Sequence, residues 1–399
     1  RRRRRRGDPA EALRLVAVTG TQGKTTTTRL AEAGLQSSGV PAAVVGTVGT
    51  RIDGVDVKTE LTTPEAPDLH ALFAVMRERG VQACAMEVSS HALVMGRVDG
   101  VVFDLAVFTN LGRDHLDFHA DVEDYFAAKA SLFTADRCRA GLVNVDDPYG
   151  RRLLAESRVP MRTFSIRGAD ADWSALDITL APSGSSFTVR TPDGETFPAA
   201  VPLAGDFNVA NALAAIAAAG EVGLDARALA DGIATSGGVP GRLERVDAGQ
   251  DFLALVDYAH KPDAVTAALQ TLRPLTTGRL VVVIGAGGDR DPGKRPIMGE
   301  IAARLADVLV LTDDNPRTED PAAIRAALMT GVETVPVTQR AEVHEHGDRR
   351  EAIRFAVSLA GPGDTVVVAG KGHETGQEIG GTVHPFDDRT VLLEELTAR

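Results

Sequence analysis

Hydrophobic residues along this chain come in short runs, separated by segments whose apolar positions have helical spacing. Residues 13–18 form a run of the length of a fully buried strand, broken at Gly20-Thr21-Gln22-Gly23-Lys24-Thr25. A helix is predicted over 25–38, ended by Gly39 and Pro41, then a second buried strand over 42–45. Residues 48–58 read as a hairpin turning at Asp53-Gly54. Leu69, Leu72, Phe73 and Met76 lie on one face of a helix over 68–79, with Gly80 as its stop. Strands are predicted over 83–88, 105–109 and 141–145, with a helix over 122–133. Such alternation implies a mostly parallel sheet covered on both faces.

The texture changes over 161–203, where short alternating runs and Pro-Asp-Gly-type turns predict an antiparallel meander added to the same domain. An Ala-rich helix over 205–220 carries Phe207, Asn208 and Asn211 near its start. The Gly- and Pro-rich stretch 237–241 reads as a linker, after which strands recur at 252–256, 280–284, 308–311 and 365–368. The expected organisation is a basic tail and linker over 1–12, then two consecutive α/β domains. These are a phosphate-loop domain with the added meander over 13–238 and a Rossmann-like domain over 239–399.

Composition narrows the function classes. The net charge is −12 even with Arg1 to Arg6 counted, a poor footprint for nucleic acid or an anionic membrane surface. Six like charges at a terminus read as a solvated, disordered tail. No apolar stretch approaches a membrane span, and residues 13–18 are too short for a signal-peptide core. Cys84 and Cys138 have no metal-type spacing, and Cys84 is expected as a small buried hydrophobe. A cytoplasmic monomer acting on small molecules is expected.

Strand, glycine loop, Lys-Thr and helix together are the layout of a phosphate-binding loop. Glycines let backbone N–H groups close around phosphate oxygens, and the helix N-terminus adds partial positive charge. Gly20, Thr21, Gln22, Gly23 and Thr26 would form the cradle, Lys24 would reach the terminal phosphates, and the Thr25 hydroxyl would ligate Mg²⁺. Val18 stands where the full pattern has another glycine, so the loop is a shortened version. An ordinary tight turn is the competing reading, and Lys-Thr at a helix start argues against it. Other polar residues also sit at predicted strand ends, where open parallel sheets bind ligands. They are Glu87, Asn110 with His115, Asp257 with His260, Asp289 with Arg290, the segment 313–317 and the segment 371–374. Single clusters of this kind are usually helix caps, but a recurrence across two domains is harder to explain so. Glu87 closes an apolar strand, which is costly unless a cation meets it; Mg²⁺ shared with Thr25 and ATP is the natural partner. His115, between Asp114 and Asp117, reads equally well as a structural histidine.

Taken together and in order, these residues resemble the Mur ligases of peptidoglycan synthesis. The likeness is carried by Gly20 to Thr26, Glu87-Val-Ser-Ser-His91, Thr109-Asn-Leu with Asp114-His-Leu-Asp117, and Gly241-Arg-Leu-Glu244. It continues through Asp257-Tyr-Ala-His260, Gly287-Gly-Asp-Arg-Asp291, Asp314-Asn-Pro-Arg317 and Gly370-Lys-Gly-His-Glu374. The resemblance implies an ATP- and Mg²⁺-dependent ligase that joins meso-diaminopimelate to UDP-N-acetylmuramoyl-L-Ala-D-Glu through an acyl phosphate. It implies Lys24, Glu87, His115 and Lys129 as catalytic, with Thr25, Glu87, His115 and Lys129, the last as N6-carboxylysine, around magnesium. Asn208, Arg242 and Asp257 would contact ATP, and Thr62, Thr63, Ser89 and Arg97 the muropeptide. Arg290, Asp314, Asn315, Pro316, Arg317, Gly370 and Glu374 would form the diaminopimelate pocket. The family's N-terminal uridine-nucleotide domain is not expected in this chain, and Leu61 and Met95 depart from the family pattern at muropeptide contacts. The alternatives are a truncated ATP-binding form without ligase activity, a lysine-adding relative, and a folylpolyglutamate synthetase-like enzyme.

Overall fold

The computed structural model describes residues 9–59, 61–112, 114–115 and 118–399. The arginine run, Glu60, Arg113, Leu116 and Asp117 lie outside them. Contacts divide the chain into two compact units: residues up to 238 form the first and residues from 239 the second, except that 181–183 and 203–205 group with the second.

The first unit is built on β1 (Arg14–Thr19), whose Leu15, Ala17 and Val18 are fully buried. It is followed by α1 (Lys24–Ser37), β2 (Ala42–Val45), β3 (Thr50–Ile52) and β4 (Val55–Val57). The hairpin turns at Asp53-Gly54, both with positive φ, as the pattern predicts. Next come α2 (Ala66–Glu78), β5 (Ala83–Glu87), α3 (Ser90–Val94) and β6 (Phe103–Phe108). They lead to α4 (Val122–Ala130), β7 (Cys138–Asn144) and α5 (Pro148–Glu156). The helix expected to reach 133 stops at Ala130 because Leu132 and Phe133 donate to carbonyls three residues back, tightening the last turn.

β8 (Met161–Ser165), β9 (Trp173–Ala181), β10 (Gly184–Arg190) and β11 (Thr196–Val201) precede α6 (Asp206–Glu221) and α7 (Ala226–Ala234). The eleven strands form one sheet in the order β11-β10-β9-β8-β7-β6-β1-β5-β2-β3-β4. The expected antiparallel meander is present at the end of this sheet, and only its start differs. β8 pairs in parallel with β7, and β9 in parallel with β8 through Phe164 and Trp173; β10 and β11 pair antiparallel. The link after β8 is tied down by Asp146, which accepts from Ser165 Oγ at 2.6 Å and from the Ile166 N–H at 2.8 Å. That local anchoring lets a short connection return in the same direction.

The second unit carries β12 (Glu244–Arg245), β13 (Leu253–Asp257), α8 (Pro262–Leu272), β14 (Leu280–Ile284) and α9 (Lys294–Leu305). β15 (Val308–Leu311), α10 (Pro321–Glu333), β16 (Glu342–Glu345), α11 (Arg349–Leu359) and β17 (Thr365–Ala369) follow. Its sheet runs β12-β13-β17-β14-β15-β16, parallel from β13 onward, with Val281, Val283, Val310, Val366 and Val368 fully buried. A separate hairpin, β18 (Gly376–Ile379) and β19 (Thr382–Pro385), precedes α12 (Asp388–Thr397). Neither this hairpin nor β16 stands out in the hydrophobic pattern, because both are polar and largely exposed.

Candidate active site

In the first sheet β1 lies between β5 and β6, both parallel to it, with Val18 opposite Glu87 and Thr19 opposite Phe108. Connections that diverge to either side of one strand open a crevice at its carboxyl end. The glycine loop fills that position. Its backbone is laced to the end of β6: Thr21 N–H donates to the Asn110 carbonyl at 2.9 Å and Gln22 N–H to Asn110 Oδ1 at 3.0 Å. Thr109 Oγ1 donates to the Gln22 carbonyl at 2.6 Å. Gly20 has φ +147°, and a Cβ there would lie 1.9 Å from Thr109 Oγ1, so no larger residue fits. Gly23 precedes α1 and gives it no side-chain cap, an arrangement in which a helix N-terminus can receive an anion.

Two lysines converge on the Gly20 carbonyl. Lys24 Nζ donates to it at 2.9 Å and to the Thr21 carbonyl at 3.1 Å; Lys129 Nζ, from α4, donates to it at 2.9 Å. Lys129 is buried, with its ammonium 4.4 Å from the centre of the Tyr125 ring. The Tyr125 hydroxyl in turn lies 3.3 Å from Thr21 Oγ1. Tyr125 and Thr21 thus tie α4 to the loop, a contact that periodicity gives no hint of.

Glu87 ends β5 with 1% of its surface exposed. Its oxygens accept from Thr47 N–H at 2.8 Å and Thr47 Oγ1 at 3.1 Å, and it has no ion-pair partner among the described residues. Thr62 Oγ1 is 3.1 Å from Thr47 Oγ1, Thr63 Oγ1 donates to the Glu87 carbonyl at 2.8 Å, and Ser89 caps α3. Three of the four expected muropeptide residues thus gather around this acid. Arg97 lies beyond α3, paired with Glu65 at 2.8 Å. His115, with φ +54°, turns to Asp114 at 3.3 Å and packs edge-on against His91 at 4.7 Å between centroids.

A cavity of about 300 Å³ opens beside the loop, lined by Gln22, Asn110, Asp147, Phe164, Phe207 and Asn211 among others. Asn208 is buried next to it and accepts from Asn211 Nδ2 at 3.3 Å. Asn211 Oδ1 approaches Gly23 so closely that a Cβ there would meet it at 2.3 Å. The Asn-x-x-Asn spacing, one helical turn, was the available signal for Asn211.

The second unit holds the other expected residues. Asp257 ends β13 and accepts from Leu243 N–H at 2.7 Å and Ala259 N–H at 2.8 Å; burial raises its pKa, against the pull of Arg242. The Arg242 guanidinium lies 4.6 Å over the Tyr258 ring. Burial, reinforced by the Glu374 carboxylate, pushes the Tyr258 phenol up to about 12.

Around the carboxyl ends of β14, β15 and β17 the polar residues interlock. Asn315 donates from Nδ2 to Glu374 Oε2 at 2.8 Å. A Cβ on Gly370 would meet Asp314 Oδ2 at 2.4 Å, which places these two segments in close contact. Beneath them the buried Arg349 grips Asp388 through two 2.7 Å bonds and donates to the Asp313 and Ala369 carbonyls. Arg317, after Pro316, adopts φ +52°, held by Arg317 N–H on the Glu378 carbonyl and Gly380 N–H on the Arg317 carbonyl. Its side chain is not an open fork: Nη1 donates to the Gly288 carbonyl at 2.6 Å and Nε faces Glu378 at 3.2 Å. Arg290 is exposed and comes alongside it over Gly287. Burial pushes both thiols, Cys84 and Cys138, up to about 12, as befits inert core residues.

A glycine loop at the end of a parallel strand in one sheet and a charged strand-end cluster in another fit a nucleotide-dependent ligase fold. The Mur ligase middle domain is matched by residues 18–219 and the Mur ligase glutamate ligase domain by residues 241–372, so the chain belongs to the Mur ligase family. Within it, the chain is similar to the UDP-N-acetylmuramoyl-L-alanyl-D-glutamate--2,6-diaminopimelate ligase of Streptomyces avermitilis. The two are 58% identical over 391 residues, 98% of this chain and 77% of that relative. The protein of the same name from Corynebacterium glutamicum is 53% identical over 399 residues, again 98% of this chain and 77% of the relative. A solved structure of a ligase with that name is 38% identical and superposes with a TM-score of 0.69, covering 97% of this chain and 78% of that one. No helix among the described residues is long and apolar enough to cross a membrane.

Proposed function

We propose that this chain is an ATP-dependent ligase adding meso-diaminopimelate to UDP-N-acetylmuramoyl-L-Ala-D-Glu in peptidoglycan synthesis. The observation that carries the reading is identity of 58% over nearly the whole chain to a ligase of that name. A carboxylate is a poor electrophile until activated. Its oxygen attacks the γ-phosphorus of ATP, ADP leaves, and the diaminopimelate amine then attacks the acyl carbon, expelling phosphate and losing a proton. The chain's task is to hold phosphates, carboxylate and amine in place and to stabilise phosphoryl charge. The loop backbone and α1 N-terminus receive the phosphates, and Lys24 swings from the Gly20 and Thr21 carbonyls onto their terminal oxygens. Asn208 and Asn211 flank the nucleotide, with Arg242 and Asp257 as further contacts.

Mg²⁺ fits the donors present. Among the described residues no group of three or more His, Cys, Asp or Glu side chains forms a metal site by itself. Thr25 and the buried Glu87 are hard oxygen donors, and Mg²⁺ completes its shell with phosphates and water. When bound, it supplies charge neutralisation at the phosphoryl oxygens. Thr25, Glu87 and His115 are the residues proposed to hold it. Lys129 as a carbamate would keep one N–H for the Gly20 carbonyl and offer oxygens toward the site. Lys129→Ala is expected to cut ligation by roughly 100-fold or more with the fold intact, and short carboxylic acids to restore part of it; wild-type turnover in the mutant would refute the role.

Thr62, Thr63, Ser89 and Arg97 are assigned to the muropeptide. Arg290, Asp314, Asn315, Pro316, Arg317, Gly370 and Glu374 are assigned to diaminopimelate, which argues against a lysine-adding or folate enzyme. The test is phosphate release from ATP with each substrate withheld in turn. Release requiring both the UDP-linked dipeptide and diaminopimelate supports the reading. ATP binding without such turnover would leave only a nucleotide-binding form.

A further inference from the structure

Lys371 opens the loop after β17, flanked by two glycines, yet its side chain is fully buried. A buried ammonium needs acceptors, and it has two: Asn315 Oδ1 at 3.0 Å and Glu374 Oε2 at 3.3 Å. An ammonium carries donors only, so it dictates which end of the Asn315 amide faces it. Oδ1 takes Lys371 together with the Glu378 N–H at 3.0 Å, and Nδ2 is left to donate to Glu374 at 2.8 Å. The reversed amide would set NH₂ against NH₃⁺ and its oxygen against a carboxylate. One oxygen of Glu374 is therefore held twice, while a third of the side chain stays exposed to a ligand.

We propose that Lys371 is a positioning residue that sets the amino-acid preference of this site. It locks Asn315 and Glu374 for a zwitterionic side-chain end and offsets the negative charge that would favour a bare ammonium. The inference rests on the reading of the chain as a diaminopimelate-adding ligase. The far end of diaminopimelate bears an ammonium and a carboxylate; that of lysine bears an ammonium alone. Glu374 by itself attracts both. The Lys371 charge offsets that pull for both amino acids, so the carboxylate that diaminopimelate has and lysine lacks decides the preference.

The experiment measures kcat/KM for meso-diaminopimelate and for lysine, and KM for ATP, in wild type, Lys371→Met and Lys371→Gln. The expected result is a rise of about tenfold or more in KM for diaminopimelate, the scale of a lost hydrogen bond to a charged group. The diaminopimelate-over-lysine ratio falls, and KM for ATP stays at the wild-type value. A lysine that only supports the fold would change all three parameters together or none, and either result overturns the proposal. Absence of diaminopimelate-dependent turnover in the wild type would instead refute the parent reading. If neither variant folds, a crystal structure of the wild type with meso-diaminopimelate decides. The ligand ammonium on Glu374, with Oε2 still on Lys371, supports the role; Glu374 swung away from Lys371 overturns it.

Discussion

The two polar regions of this chain sit at equivalent places, the carboxyl ends of parallel strands, but are made of different material. The loop between β1 and α1 is a backbone cradle. Its shape comes from glycines and from main-chain bonds to Thr109 and Asn110, with lysines laid over carbonyls. The cluster at β14, β15 and β17 is a cage of side chains in which Asn315, Lys371, Glu374, Arg317 and Glu378 hold one another. A phosphate is a diffuse anion that main-chain N–H groups and a helix end satisfy. A zwitterionic amino-acid end needs a cation and an anion at fixed separation, which only side chains supply.

The largest expected effect separates the two regions at the cradle. Lys24→Ala should lower kcat by roughly 10²–10³, the scale of losing one electrostatic stabiliser of the transition state. Phosphate-release assays check this, with the diaminopimelate preference expected to persist. Next is the strut beneath the cage. Arg349→Met leaves Asp388 buried and unpaired, and removing one partner of such a pair costs about 3 kcal/mol or more. Urea unfolding should show that loss in the second unit.

The smallest effect at neutral pH is a pH dependence that grows only on acidification. His260 is half-buried, donates from its ring to the Tyr258 carbonyl at 2.7 Å, and has its pKa lowered from 6.5 to about 3, chiefly by desolvation. It is neutral in the fold, while the unfolded chain takes up a proton below about pH 6.5. Its contribution is therefore complete above that pH and is lost as pH falls toward 3. Unfolding free energy should decline across that window by up to about 1.4 kcal/mol per pH unit from this group. His260→Gln should flatten the decline; an unchanged slope would show that other groups carry it.

The same contrast explains what the sequence makes legible. A cradle built by consecutive residues is written as one contiguous motif, so Gly20 to Thr26 can be read directly. The buried strands also follow from hydrophobic runs. Strand direction in the 161–203 region does not, because it depends on the anchoring of one loop by Asp146 and Ser165. The cage draws on segments 287–291, 313–317 and 370–378, whose proximity is created only by the sheet. Each segment alone reads as a turn, and the family likeness is what joins them. Lys371 is the sharpest case: a lysine between glycines reads as exposed, and only the packed loop reveals it as buried.

The central claim, that cradle and cage do separate jobs, is tested most directly by Arg317→Ala. On one preparation, ATP affinity and kcat/KM for meso-diaminopimelate and for lysine are measured beside the wild type. The account predicts a fall of about tenfold or more for diaminopimelate, on the scale of a lost charged hydrogen bond, with a narrower margin over lysine and unchanged ATP affinity. A mutant that keeps the wild-type preference, or one whose ATP affinity falls in step with diaminopimelate, would contradict it.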